Sequence, residues 1–171
     1  MLASLKNIKC FVFDVDGVLT NGTLIVMPDG LLIRTMNIRD GYALQLAIKK
    51  GYKVWIISGG QSDEVKQRLL QLGVLDVYMK VKDKAALLKE LSILNNVPLQ
   101  DMMFMGDDMP DYEVMQLVGL AACPSDASTD IKNIAAYKSI AKGGEGCARE
   151  IIEKVLKLND HWDVEDHIQA T

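Results

Sequence analysis

Two aspartates stand directly after an apolar run near the start of the chain, in the stretch FVFDVDGVLTNG at residues 11–22. The apolar run is typical of a buried strand, and a carboxylate at the end of such a strand is costly to desolvate. A chain accepts that cost where the carboxylate binds a cation or reacts with a ligand. Asp14 and Asp16 are therefore candidates for metal binding, nucleophilic attack or proton transfer.

Further polar residues follow three later apolar runs. Ser58 follows KVWII, Lys84 opens the helix after DVYMKVKD, and the acidic stretch GDDMPD at 106–111 follows MMFM. The carboxyl ends of parallel strands lie at one edge of a sheet, where ligands bind in open α/β folds. We therefore expect these residues to gather around Asp14 and Asp16.

The expected cluster contains five aspartates: Asp14, Asp16, Asp107, Asp108 and Asp111. Without a cation, each close pair would cost on the order of a few kcal/mol at an effective dielectric of ~20. Carboxylate ligands, with no histidine or cysteine in these motifs, favour Mg²⁺. Asp107 is expected to ligate the metal, and Asp108 and Asp111 to orient Lys84 or a metal-bound water.

An aspartate beside a cation can form an acyl phosphate, because the attacked phosphoryl group is neutralised and held in line. We assign the nucleophile to Asp14. Asp16 is the general acid and base, which would protonate the leaving alcohol and then deprotonate water. The Ser58 hydroxyl, the backbone N–H groups near Gly59 and the Lys84 ammonium would hold the phosphoryl oxygens.

Apolar runs alternate with helical patterns along the chain. The runs CFVFDV, KVWIIS, MMFMG and GLAAC lack polar alternation, which suits strands buried on both faces of a parallel sheet, and DVYMKV is expected to be another strand. Helical patterns include SDEVKQRLLQLG, which opens on a serine cap, and DKAALLKELSILNN. The alternation predicts one α/β domain over residues 1–171, a Rossmann-like three-layer sandwich with a parallel sheet.

One segment, TLIVMPDGLLIRTM at residues 23–36, interrupts this alternation. Its two β-prone runs flank a proline and glycine turn, which predicts a β-hairpin inserted after the first strand and leaves no room for a cap domain. Because exposed apolar strands invite pairing, we expect the hairpins of several copies to associate. The polar tail at residues 159–171 is expected to be ordered only against a partner.

Composition limits the kinds of partner. The formal charge is −4, from 19 basic and 23 acidic residues, and no basic block appears. This argues against nucleic acids and anionic membranes and favours a small-molecule partner. The three cysteines form no disulfide or zinc pattern, which indicates a reducing compartment. With no signal-peptide pattern or membrane span, we expect a cytoplasmic protein.

The ordered set of motifs resembles the haloacid dehalogenase superfamily of phosphotransferases. DVDGVLT resembles its nucleophile motif, Ser58 its second motif, Lys84 its third and GDDMPD its acidic fourth. Within that superfamily, NIRDGYALQLA and GGEGCARE are similar to segments of the small capless phosphatases that act on 3-deoxy-D-manno-octulosonate 8-phosphate. The resemblance implies a magnesium-dependent homotetramer that serves lipopolysaccharide synthesis and covers each site with a neighbouring subunit.

The resemblance also implies specific ligand contacts. Asp14, Asp107 and the backbone carbonyl of Asp16 would hold the magnesium ion. The residues that would meet the substrate are Asp16, Asn37, Ile38, Arg39, Asp40, Gly41, Ser58, Gly59, Gly60, Arg68 and Lys84.

One position departs from the family pattern. Many octulosonate phosphatases read Thr-Gly-Arg at the second motif, whereas this chain reads SGGQS, with Gly60 in place of the arginine. An arginine there could bind a substrate carboxylate bidentately, and glycine cannot. A nine-carbon 2-keto-3-deoxy sugar acid phosphate is therefore the nearest alternative substrate. A receiver-type phosphorylation module is a more distant alternative, since receivers place their phosphoacceptor after the third strand.

Overall fold

A sheet of six strands positions the loops that contain most of the residues discussed above, and two further strands form a separate hairpin. The structure is a computed structural model that describes residues 2–162, so most of the tail lies outside the described residues. The strands are β1 (Cys10–Phe13), β2 (Ile25–Val26), β3 (Leu32–Ile33), β4 (Lys53–Ile57), β5 (Asp76–Tyr78), β6 (Met102–Met105), β7 (Leu120–Cys123) and β8 (Tyr137–Lys138). The α-helices are α1 (Leu2–Lys6), α2 (Ile38–Lys49), α3 (Asp63–Gln71), α4 (Lys84–Leu94), α5 (Tyr112–Met115), α6 (Thr129–Ile134) and α7 (Cys147–Leu158).

The strand order in the sheet is β5-β4-β1-β6-β7-β8, and every neighbouring pair is parallel. Phe13 at the end of β1 lies opposite Ile56 of β4 and Met105 of β6. In chain order, the strands β1, β4 and β5 follow one another toward one edge of the sheet, and β6, β7 and β8 follow one another toward the other edge. The loops after β1 and β6 therefore diverge and leave a crevice between them. The predicted Rossmann-like fold is confirmed.

Successive residues of a strand enter two different cores. Phe11 and Phe13 of β1 pack in a core with α1, α2, α3 and α7, whereas Cys10 and Val12 pack in a core with α4, α5 and α6. The division follows from the topology, because right-handed crossovers place helices on the opposite face once the succession of strands reverses. Both faces of β1 are therefore apolar, which explains why its sequence lacks polar alternation.

Helix starts follow local sequence signals. Ser62 Oγ accepts a hydrogen bond from Val65 N at 3.3 Å and caps α3. Asp83 Oδ1 accepts from Ala86 N at 2.8 Å and caps α4, so that α4 begins at Lys84 as the sequence predicts.

The inserted hairpin is present and short. β2 pairs antiparallel with β3, with Val26 opposite Leu32, and Gly30 N donates to Met27 O at 2.9 Å across the turn. Its apolar side chains are exposed, from 37% for Leu32 to 71% for Val26. Between β1 and α2 the described chain inserts this hairpin and no cap domain, as predicted.

The predicted strand over DVYMKV is shorter in the structure. β5 ends at Tyr78, because the chain turns at Lys80, where φ is 57°. Lys80 N and Val81 N then donate to the backbone oxygens of Gly60 and Ser58, both at 3.0 Å. These bonds join the loops after β4 and β5, two of the loops on which site residues were predicted.

Four elements of two to six residues, α1, α5, α6 and β8, have no counterpart in the sequence prediction. Elements this short contain too few residues to show a period of 3.6 or 2. No helix among residues 2–162 is long and apolar enough to cross a membrane.

The start of the tail packs on its own chain. The Trp162 ring lies 4.5 Å from the guanidinium carbon of Arg149 and makes an edge contact with Tyr42. The expectation that the tail is ordered only against a partner therefore does not hold for residues 159–162, and residues 163–171 lie outside the described part of the chain.

Candidate active site

A cleft of about 330 Å³ opens where the loops after β1 and β6 diverge. It is lined by Asp14, Asp16, Gly17, Gly22, Ser58, Gly59, Gly60, Lys84, Asp107, Asp108, Pro110 and Asp111. The structure thus brings together every residue predicted to be catalytic, metal-binding or orienting. Their individual roles stay predictions.

Lys84 is buried between two aspartates. Its Nζ lies 2.9 Å from Asp14 Oδ1 and 2.6 Å from Asp111 Oδ1. Burial acts to lower the pKa of Lys84, but the charges of Asp14 and Asp111 outweigh burial and raise the pKa. Lys84 therefore remains a cation at the floor of the cleft.

Asp111 links Lys84 to the loop after β6. Its Oδ1 accepts from Lys84 Nζ, and its Oδ2 accepts from the backbone N–H of Asp107 at 3.1 Å. Both carboxylate oxygens of Asp111 are thus engaged inside the protein. This arrangement suits a residue that orients Lys84.

The acidic cluster lacks sufficient positive charge. One carboxylate oxygen from each of Asp14, Asp107 and Asp111 lies within 4.8 Å of the others. Burial, and then the charge of Asp111, raises the pKa of Asp14 to about 7. Burial, and then the charges of Asp111 and Asp14, raises the pKa of Asp107 to about 7. Their charged forms are therefore disfavoured without a further cation.

These residues fit a magnesium ion. Asp14 Oδ1 is buried, and apart from its ion pair with Lys84 it has no hydrogen-bond partner among the described residues. A hard divalent cation beside Asp14 and Asp107 would favour both charged carboxylates and supply the missing interaction.

Gly17 allows the loop after β1 to approach Asp107. Its φ is +80°, and a Cβ at this position would overlap Asp107 Oδ2. The glycine of the DVDG stretch is therefore needed both for its backbone conformation and for the close approach.

The Asp16 carboxylate is bound by an arginine of the hairpin and not by Lys84. Its Oδ1 and Oδ2 accept from Arg34 Nε and Nη2 at 2.7 Å and 3.1 Å. Arg34 follows β3 in the hairpin, and sequence reasoning missed it. No local signal marks this contact, because it joins residues 18 positions apart and depends on how the hairpin folds back.

The loop after β4 has no side chain at position 60. Ser58 is buried, and its Oγ accepts from Gly60 N at 3.1 Å. A Cβ on Gly60 would lie 2.9 Å from Asp16 Oδ2 and 3.5 Å from Arg34 Nη2. The pair of Asp16 and Arg34 therefore occupies the space that a side chain at position 60 would need.

The chain is similar to known phosphatases over most of its length. Residues 70–151 match the family of haloacid dehalogenase-like hydrolases. The 3-deoxy-D-manno-octulosonate 8-phosphate phosphatase of Escherichia coli is 30% identical over 163 residues, which cover 95% of this chain and 87% of the relative. The chain belongs to this family of haloacid dehalogenase-like hydrolases.

Solved structures of family members have the same fold. The 3-deoxy-D-manno-octulosonate 8-phosphate phosphatase of Yersinia pestis has a TM-score of 0.91 at 30% identity, covering 94% of this chain and 86% of that chain. The corresponding enzyme of Moraxella catarrhalis, solved with a magnesium ion, a phosphate ion and a KDO molecule, has a TM-score of 0.90 at 28% identity, covering 94% and 92%. Family membership favours an enzyme over the receiver-type module.

The remaining substrate contacts expected for this phosphatase family lie outside the cleft. Asn37, Ile38, Asp40, Gly41 and Arg68 line a separate cavity of about 40 Å³. Arg39 is exposed on the first turn of α2, where its N–H donates to Asn37 Oδ1 at 2.8 Å. None of these six residues is among those that line the cleft, and their contacts with a substrate stay predictions.

Asp40 has a structural role within the chain. It is 2% exposed, and its Oδ1 accepts from Arg149 N at 2.6 Å in the first turn of α7. The N-cap residue of α7 is Gly146, which has no side chain to cap the helix, so Asp40 supplies the acceptor from α2. Burial raises the pKa of Asp40 to about 6. Asp40 thus caps α7 in the described chain, and its predicted contact with a substrate stays a prediction.

Proposed function

We propose that this chain is a magnesium-dependent phosphatase of 2-keto-3-deoxy sugar acids, with 3-deoxy-D-manno-octulosonate 8-phosphate as the first candidate substrate. The reaction would proceed through an aspartyl phosphate on Asp14. The observation that carries the proposal is the contact of buried Lys84 with both Asp14 and Asp111 at the floor of the cleft. The names of the related phosphatases support the choice of substrate.

Asp14 attacks the phosphorus atom in the first step of the proposed reaction. Its carboxylate oxygen forms a bond to phosphorus while the ester bond breaks and the electron pair stays on the leaving oxygen. Lys84 holds Asp14 at 2.9 Å and can hold a phosphoryl oxygen with its ammonium group. The Ser58 hydroxyl and the N–H groups of the loop after β4 provide further donors.

Asp16 moves the proton in both steps. It gives a proton to the leaving alcohol and later accepts one from the water that attacks the aspartyl phosphate. Its carboxylate lines the same cleft as Asp14, and Arg34 holds it at the cleft wall.

A magnesium ion would be held by Asp14, Asp107 and the backbone carbonyl of Asp16. When bound, it would neutralise charge on the phosphoryl oxygens and favour the ionised form of Asp14.

The sugar acid is chosen by features outside the phosphate site. Gly60 provides no guanidinium for a substrate carboxylate, which keeps a nine-carbon 2-keto-3-deoxy sugar acid 9-phosphate as the second candidate. An apolar groove of about 310 Å³ beside the hairpin, lined in part by Arg34, Glu64 and Arg68, is a candidate surface for the sugar.

We also propose that the enzyme is a cytoplasmic homotetramer that serves lipopolysaccharide synthesis. Support for the tetramer comes from seven exposed apolar side chains on one hairpin: Leu24, Ile25, Val26, Met27, Leu31, Leu32 and Ile33. An apolar surface of this kind favours association of copies into a closed ring, in which a neighbouring subunit could cover each cleft.

The test is phosphate release from a substrate panel with magnesium present. The panel contains the eight-carbon and nine-carbon sugar acid phosphates, arabinose 5-phosphate, whose sugar has no carboxylate, and p-nitrophenyl phosphate. We expect sustained turnover, with the highest kcat/KM for the eight-carbon acid. Stoichiometric labelling without turnover would overturn the enzyme proposal. A preference for the nine-carbon acid would move the assignment to the second candidate.

A further inference from the structure

Arg34 makes a two-bond contact with the Asp16 carboxylate. Nε donates to Oδ1 at 2.7 Å and Nη2 donates to Oδ2 at 3.1 Å, which is the side-by-side geometry in which a guanidinium fixes a carboxylate plane. The Arg34 side chain is 5% exposed, whereas that of Asp16 is 37% exposed. The arginine thus lies behind the carboxylate, and the carboxylate faces the cleft.

Arg34 also contacts the backbone of the hairpin, and the loop after β4 leaves space for it. Its Nη1 donates to Leu32 O at 3.3 Å, which ties the guanidinium to the hairpin backbone. On the other side, the missing side chain of Gly60 leaves the space that the pair fills, since a Cβ there would lie 2.9 Å from Asp16 Oδ2. The two bonds from Arg34, together with the bond of Arg34 to Leu32 O, restrict the rotation of the Asp16 side chain.

We infer that Arg34 is a positioning residue, which holds the Asp16 carboxylate in the orientation that accepts a proton from the water attacking the aspartyl phosphate. The inference rests on the proposed function. In this step the water oxygen bonds to phosphorus, the bond from phosphorus to Asp14 breaks, and its electron pair returns to the Asp14 carboxylate. The proton released by the water passes to Asp16.

The rate of this step depends on where the Asp16 carboxylate lies relative to the attacking water. A catalytic group displaced by about 1 Å can cost about 100-fold in rate. Without Arg34, Asp16 would keep its carboxylate but lose both bonds that fix its plane. Hydrolysis of the aspartyl phosphate should therefore slow, while attack by Asp14 on an ester with a good leaving group should not.

The experiment measures the two steps separately with p-nitrophenyl phosphate and magnesium. Its leaving group departs without a proton from Asp16, so rapid release of p-nitrophenolate reports attack by Asp14 alone. For Arg34→Met we expect a near-stoichiometric burst, a kcat lowered about 10- to 100-fold, little change in kcat/KM, and phosphate trapped on the protein by acid quench. Arg34→Lys keeps the charge but cannot make both bonds, so its kcat should fall between the two.

Arg149→Met is the matched control, because Arg149 Nε makes an ion pair of the same 2.7 Å length with Glu153 on α7. It should show the wild-type burst and kcat, and circular dichroism should show that all variants are folded.

Three outcomes would overturn the inference. A kcat/KM that falls together with kcat, without a burst, would assign Arg34 to the structure of the hairpin. Loss of kcat/KM only for the sugar acid phosphates would assign Arg34 to the substrate carboxylate. Unchanged kinetics would remove any role. Each is distinct from failure of the proposed function, in which the wild-type protein itself would release no phosphate.

Discussion

Lys84 and the aspartates around it form a buried set of charges in which each charge depends on the others. If Lys84 were removed, Asp14 and Asp111 would face each other in a poorly solvated site without a positive neighbour. Removal of one partner from a buried ion pair typically costs about 3 to 5 kcal/mol. Loss of Lys84 should therefore destabilise the fold as well as remove a charge proposed to act in the chemistry.

Replacement of Asp14 by asparagine should abolish turnover without unfolding the protein. The amide keeps the shape of the side chain but is no nucleophile and a weaker metal ligand. Phosphate release from p-nitrophenyl phosphate and the near-ultraviolet circular dichroism spectrum measure the two parts of the prediction. Residual activity above a few per cent of wild type, in protein shown by mass spectrometry to be free of deamidation, would contradict the role of Asp14.

Removal of divalent cations should abolish activity, and magnesium should restore it. Asp14 and Asp107 have pKa values raised to about 7 by burial, so the cation is needed to favour their charged forms. Calcium should inhibit, because its looser and higher coordination would misplace the attacking carboxylate. Activity is measured after treatment with EDTA and readdition of each ion, and full activity with calcium alone would argue against this geometry.

At the scale of elements, a side chain of α2 caps the first turn of α7. Asp40 on α2 accepts from Arg149 N, although the two residues are 109 positions apart. Its Oδ2 is buried without a hydrogen-bond partner. The carboxylate thus stabilises the first turn of α7 at the cost of desolvating its own charge.

Asp40→Asn should become more stable relative to wild type as the pH rises. Folding raises the pKa of Asp40 from 3.8 to about 6, so the stability that protonated Asp40 contributes is complete below about pH 4 and is lost as the pH rises through 6. The shift corresponds to at most about 3 kcal/mol, at about 1.4 kcal/mol for each pKa unit. Asparagine keeps an oxygen acceptor and does not ionise.

Urea unfolding of both proteins from pH 4 to pH 7.5 measures this difference. Asp40→Ala serves as the second variant, since it lacks the acceptor and should be about 1 kcal/mol less stable than Asp40→Asn at every pH. A stability difference between Asp40→Asn and wild type that stays constant with pH would show that Asp40 is not the titrating group.

At the scale of the whole molecule, the hairpin is the part of the described chain that the two cores do not cover. Its strands contain two residues each, and their apolar side chains are exposed. An isolated hairpin of this length is marginally stable in water. Association of several hairpins would bury these side chains and hold Arg34 in place at each site.

Val26→Glu should dissociate the proposed tetramer. Val26 is 71% exposed on β2, so the change should leave the fold of the subunit intact but place a charge in the interface between copies. Light scattering at micromolar concentration measures the mass of each variant. Ile140→Glu is the control, because Ile140 is 89% exposed outside the hairpin and the substitution should leave the mass unchanged. A monomeric wild-type protein would refute the tetramer.

The candidate cleft could be predicted from sequence because its main charged residues follow strongly marked elements. Asp14 follows an uninterrupted apolar run, Lys84 follows the cap of α4, and Asp107 follows another apolar run. The parallel arrangement then leaves one edge at which they meet. Local signals and one rule of topology therefore determine these positions.

The contacts of Arg34 and Asp40, and the ends of the short elements, depend on the tertiary structure alone. Arg34 stands among hairpin residues with no motif around it, and its contact with Asp16 exists because the hairpin folds back over a loop where position 60 has no side chain. Asp40 has the sequence of an ordinary first-turn acid on α2, yet it caps α7, since the two helices pack side by side on the same face of the sheet. Neither contact leaves a pattern along the chain, because each depends on the packing of elements that are distant in sequence. β8 has only two residues, too few to be recognised from the sequence. It forms a strand because it pairs with β7 at the edge of the sheet.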